Sequence, residues 1–134
     1  MAIINLTPHE ISFFNLNDTT PDGRGCLSLN DGAEPSMVLP SAGVLRATVE
    51  SVETGEVDGI PVYQNTYGIP VMSDGSPINL NPDDTYIVSA LAAAALNAAA
   101  DADGTDRPNN VFVPNGTVRN AAGQIVGCTS LARV

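Results

Sequence analysis

The passage Tyr86-Ile87-Val88-Ser89, followed by an alanine-rich stretch, constrains the fold of this chain more than any other segment. Tyr86-Ile87-Val88 has the β-branched and aromatic character of a buried strand. Ser89 is a helix-capping residue, and Ala90 to about Ala100 consists mostly of the strongest helix former. After a polar connection at 101–110, Val111-Phe112-Val113 returns as a strand. Strands joined through a helix lie parallel in one sheet, because a tight hairpin can join only antiparallel neighbours. The order strand, cap, helix, strand therefore predicts a parallel pair with a helix laid on its face.

The remaining apolar runs are short and β-like. Ala2–Asn5 and Ile11–Phe14 flank the corner Leu6-Thr7-Pro8-His9-Glu10, and Met37–Leu39 precedes the turn Pro40-Ser41-Ala42-Gly43. From Val44 to Val52 the residues alternate, which predicts a strand with Arg46 on its more polar face. Gly55–Gly59 reads as a turn, and Ile60–Tyr67 as a strand stopped by Gly68. Thr117–Arg119, the turn Asn120–Gly123 and Gln124–Cys128 form a terminal hairpin. Residues 15–36 carry many turn formers and few large apolar side chains, so they are expected as an exposed insertion loop with some hairpin character. The expected class is α+β: a mainly β single domain of 134 residues with one principal helix packed on a mixed sheet.

Charge narrows the function. Fifteen acidic residues stand against five arginines and no lysine, for a net charge of −10. A polyanion-binding surface needs many basic contacts, so nucleic acid and anionic membranes are disfavoured as partners. The longest apolar run, Ala90–Leu96, is far shorter than the roughly 20 residues of a membrane span. With no leader-like start and only Cys26 and Cys128, reduced thiols in a cytoplasmic setting are expected. A homodimer or higher homo-oligomer is compatible with a short helix over a sheet.

The site candidates follow from scarcity. His9 is the only histidine, held by Pro8; it is either a ligand-facing acid–base group or a structural hydrogen-bonding post, and Thr7 shares that ambiguity. The helix entry at Ser89 offers free N–H groups and the positive end of a dipole, an anion site where an arginine stands nearby. Arg46 and Arg119 are the candidates to supply that charge, against the alternative that each pairs with an acidic neighbour. Asp101-Ala102-Asp103-Gly104-Thr105-Asp106 suggests a calcium loop but has Asp106 where an EF-hand places glycine and Phe112 where it places glutamate. Two cysteines and one histidine are too few for structural zinc, so no metal or cofactor is expected. GxSxG, Walker, GxGxxG and HExxH patterns are absent, and Cys128 sits in a strand-like run where a small buried thiol is the commoner outcome.

Taken together, Asn5-Leu6-Thr7-Pro8-His9, Pro40-Ser41-Ala42-Gly43 with Arg46, Gly59-Ile60-Pro61-Val62, Tyr86-Ile87-Val88-Ser89, and Arg119 with Gly123-Gln124-Ile125-Val126-Gly127-Cys128 resemble a family of small, functionally uncharacterised phage, prophage and bacterial proteins with an N-terminal LTPH motif. The similarity covers most of the chain, and the 15–36 insertion is longer than the usual connection. The resemblance implies a site at Thr7, His9, Arg46, Tyr86, Ser89 and Arg119. It also implies a role of phage counter-defence type, since phage proteins include decoys that sequester nucleotide signals. The leading expectation is therefore a non-catalytic binder of a small anionic, nucleotide-derived metabolite. The alternatives are a small hydrolase of a phosphate-containing metabolite with His9 as base, and a structural virion or scaffold protein without a ligand.

Overall fold

The computed structural model describes residues 2–134, and it is mostly β with one helix. The strands are β1 (Ile3–Asn5), β2 (Ile11–Phe13), β3 (Thr19–Pro21), β4 (Leu27–Leu29), β5 (Met37–Leu39), β6 (Leu45–Arg46), β7 (Val49–Val57), β8 (Ile60–Tyr67), β9 (Val71–Met72), β10 (Thr85–Ile87), β11 (Val111–Arg119) and β12 (Ile125–Ala132). The helix α1 spans Ala90–Asp103.

The main sheet has the order β1-β10-β11-β12-β2-β5. β10 is parallel to both β1 and β11, with Tyr86 opposite Ile4 and Val111. β11 and β12 form the antiparallel terminal hairpin, β12 runs parallel to β2, and β2 antiparallel to β5. The two ends of this path then meet. Beyond β5 the chain runs on to Ser41, which bridges Asn5 in parallel, and the Ala42 N–H donates to the Asn5 carbonyl at 2.8 Å. The sheet thus comes back on β1 and nearly closes.

Near-closure gives β10 two buried faces. Ile87 points inward with Ile11 and Cys128, packed by Phe13, Leu39 and Leu131. Tyr86 and Val88 point outward onto Ala92, Ala93 and Leu96 of α1, joined by Leu6, Leu45 and Val111. Strands buried on both faces read as continuous apolar runs, which is how Tyr86-Ile87-Val88 is written. Alanine on the inner face of α1 lets the helix lie close to the sheet. Ser89 Oγ accepts from the Ala92 N–H at 3.2 Å, and Gly104 ends the helix at φ 70°, a left-handed conformation that costs glycine little.

Four expectations are revised by the fold. The 15–36 segment contains a β3–β4 hairpin, and β4 lies parallel to β11, with Leu27 opposite Val118, so the segment extends the main sheet. The alternation from Val44 to Val52 belongs to two strands: β6 pairs with β9, while β7 leaves with β8 as a separate ribbon. Gly55 lies inside β7; the turn is Asp58-Gly59, and a bulge between Glu53 and Gly55 absorbs the extra residue. The helix runs three residues beyond Ala100, because Gly104 and not a polar side chain stops it.

Candidate functional site

The N-terminal corner is organised by Asn5, which is 1% exposed. Its Nδ2 donates to the carbonyls of His9 (2.9 Å) and Leu39 (3.1 Å), while its Oδ1 accepts from the Thr7 N–H (3.0 Å) and Thr7 Oγ1 (2.6 Å). Ser41 Oγ donates to the Thr7 carbonyl at 2.6 Å. One side chain therefore saturates the corner and ties β1 to the end of β5. The sequence signal for this was available: Asn bonding the N–H two residues on is an Asx-turn, and Asn5 followed by Thr7-Pro8 fits it. Thr7 Oγ1, contacting Asn5 and the His9 carbonyl, is committed to that network.

His9 contributes its backbone carbonyl to the corner while its side chain is exposed. It lines a hollow of about 400 Å³ with Glu10, Ser12, Pro114, Thr117 and Cys128. Cys128 is buried, and that burial pushes its thiol pKa up, so it is held as the neutral thiol and not as a nucleophilic thiolate. Cys26 and Cys128 are both free thiols. Tyr86 lies in the core, where its hydroxyl accepts from the Asn81 N–H at 2.8 Å and anchors the loop before β10.

The arginines divide by partner. Arg107 forks onto Asp101, Nε to Oδ1 at 3.0 Å and Nη2 to Oδ2 at 2.7 Å, and this contact holds the Asp101 carboxyl below its usual range. The acidic stretch 101–106 is thus the last turn of α1 and the start of the connection after it, braced by Arg107; among the described residues no three metal-ligating side chains cluster there or elsewhere. Arg133 lies over the Phe112 ring at 4.8 Å and donates to the Asn109 carbonyl. Arg119 donates to the Gly123 carbonyl at 2.8 Å, clasping the terminal hairpin turn. Arg46 is exposed on β6 and makes no ion pair or side-chain hydrogen bond among the described residues.

Arg46 and Ser89 come together. They line a hollow of about 200 Å³ with Leu6, Pro8, Val44, Leu45, Ala47 and Leu91. Ser89 Oγ serves the Ala92 N–H and the Ser89 carbonyl serves that of Ala93, which leaves the N–H groups of Ala90 and Leu91 as the open donors at the start of α1. The corner reaches this hollow through Leu6 and Pro8, whereas His9 and Arg119 lie at other places on the surface. The hollow can accept an anion by the dipole and free amides of α1 on one side and a guanidinium on the other. No protein-family model, curated protein or solved structure matches this chain.

Proposed function

We propose that this protein is a small-ligand-binding protein that takes the anionic group of a metabolite at the entrance to α1. The observation that carries the reading is that Arg46, with no carboxylate partner among the described residues, shares a concavity with Ser89 and Leu91 at the start of α1 on a chain of net charge −10. Two sources of positive potential at one place on an acidic molecule favour an anion there and repel it elsewhere. The volume, about 200 Å³, suits a phosphoryl or carboxylate head, while whole drug-sized ligands occupy about 300–1,000 Å³. A nucleotide-derived signal would therefore be held by its phosphate with its base outside the hollow. On the resemblance to LTPH phage proteins, the role is sequestration of such a signal in the host cytoplasm.

A hydrolase with His9 as base is the weaker reading, because the hollow lined by His9 holds none of the arginines that would stabilise developing charge. The test is calorimetric titration with inorganic phosphate and a panel of nucleotide metabolites, followed by analysis of the ligand recovered after heating. Hydrogen bonds to a charged group are worth about 1.5–3 kcal/mol, so Arg46→Ala should weaken binding about 10- to 100-fold, with Arg46→Lys in between. Intact ligand supports sequestration, and altered ligand supports the hydrolase. Binding unaffected by Arg46→Ala, or no binding at all, overturns the site and leaves a structural role.

A further inference from the structure

The hollow lined by His9, about 400 Å³, has twice the volume of the one at the entrance to α1, and the two share no residue. It lies where β2, β12 and β11 run side by side. Small side chains leave the space: Gly127 contributes none, and Ser12, Thr117 and Cys128 are short.

The lining is apolar within and polar at the mouth. Buried Ile11 and Cys128 meet Val126 inside, while His9, Glu10 and Ile125 are exposed at the opening. A mostly apolar concavity with a few polar groups, in the range of roughly 300–1,000 Å³, is the usual form of a site that holds a whole small organic molecule.

The polar groups around this hollow are not used by the protein. The side chains of His9, Glu10, Ser12 and Thr117 make no hydrogen bond or ion pair among the described residues, whereas Asn5 and Thr7 beside them are committed to the corner. Water serves such groups until a ligand replaces it. Their inventory calls for a donor-rich guest. Glu10 only accepts, each hydroxyl has more lone pairs than hydrogens, and no arginine lines the hollow. An ammonium group is the complement, with three donors and no acceptor. A chain of net charge −10 also draws cations from solution.

We propose that this hollow is a second binding site, for a small organic cation: an ammonium group held at the Glu10 carboxylate, on an apolar body packed against Ile11, Val126 and Cys128. Because Glu10 is exposed, its charge selects the ligand and the apolar contact supplies most of the affinity.

Phenethylamine, phenethyl alcohol and hydrocinnamate share a ring and a short chain but differ in charge, so they test this. Each is titrated into the isotope-labelled full chain at low ionic strength, and binding is read from the amide shifts of Ile11, Thr117 and Cys128. The amine should bind about fivefold more tightly than the alcohol, the upper range for an exposed ion pair, and the carboxylate should bind least. Glu10→Gln should level the amine with the alcohol while leaving the alcohol's affinity unchanged, and Glu10→Lys should reverse the order in favour of the carboxylate. Preserved amide dispersion establishes that both variants stay folded. Equal binding of amine and alcohol by the wild type, or no binding of any of the three, overturns the proposal. So does an amine preference that survives either Glu10 variant, which would belong to the general field of an acidic molecule, or a set of shifts centred away from β2 and β12.

Discussion

β10 and β7 both draw on β-branched residues and end in opposite surroundings, the one an apolar run and the other valines interleaved with glutamates. Tyr86 and Ile87 of β10 are buried on both sides, between the inward cluster of Ile11, Ile87 and Cys128 and the helix-covered cluster around Val88. Val52 and Val57 of β7 meet solvent. β-branched residues make a strand in either place, because pleated backbone suits them. Burial depends on how many neighbours the strand acquires: β10 has a strand on each side and a helix on one face, while β7 has β8 alone. Strand propensity therefore says that a segment is extended and not whether it is core.

Substitution of equivalent aliphatic residues should separate the two regions most strongly. Ile87→Ala removes a fully buried side chain and should cost about 2–5 kcal/mol in urea unfolding, whereas Val57→Ala should stay within about 0.5 kcal/mol. Equal costs would break the comparison.

Next comes the corner that brings the sheet round. Asn5→Ala strands the carbonyls of His9 and Leu39 and the Thr7 N–H, and should cost about 3 kcal/mol by the same assay. His9→Ala, which leaves that network intact, should change stability little. If His9→Ala is as damaging as Asn5→Ala, the histidine side chain and not its carbonyl supports the corner.

A smaller effect is expected at Gly127, where β12 passes close to β2. A Cβ there would collide with the Ser12 carbonyl oxygen and the Phe14 ring, so Gly127→Ala should cost about 1–3 kcal/mol. Gly55→Ala on the ribbon meets open space, so its cost should come from the backbone at φ 159° and not from a collision.

The smallest effect concerns pH. Burial raises the Cys128 pKa, so the folded state favours the protonated thiol. Its contribution to stability is fully present below the unfolded thiol pKa of about 8.5 and is lost as pH rises through the folded value. The melting temperature should fall gently over that range, and Cys128→Ala should flatten the fall. A Cys128 that reacts with a thiol reagent in the native state as fast as an exposed thiol would contradict its place in the closed core.

Much of this was legible in the chain. Ser89 as cap, the parallel β10–β11 pair, β8 and the terminal hairpin follow from local residue chemistry. The site was legible in pieces: Arg46 and Ser89 were selected by scarcity and by capping, but their common hollow depends on β6 reaching the end of β10. Asn5 carries no titratable group to set it apart in the sequence, and its role depends on carbonyls at His9 and Leu39 that only the fold brings to it. Gly55 read as a turn, because glycine signals both turns and bulges and only the partner strand distinguishes them.

By itself the sequence determined which segments extend, where the helix begins and that no broad basic surface exists, because these depend on neighbouring residues and on totals. Only the tertiary structure decided that the sheet nearly closes through Asn5 and Ser41, that Arg46 reaches the helix entrance, and that one ribbon stands clear of the body. Those outcomes rest on contacts between residues tens of positions apart, and they are selected by the burial of the whole chain and not by the preference of any one stretch.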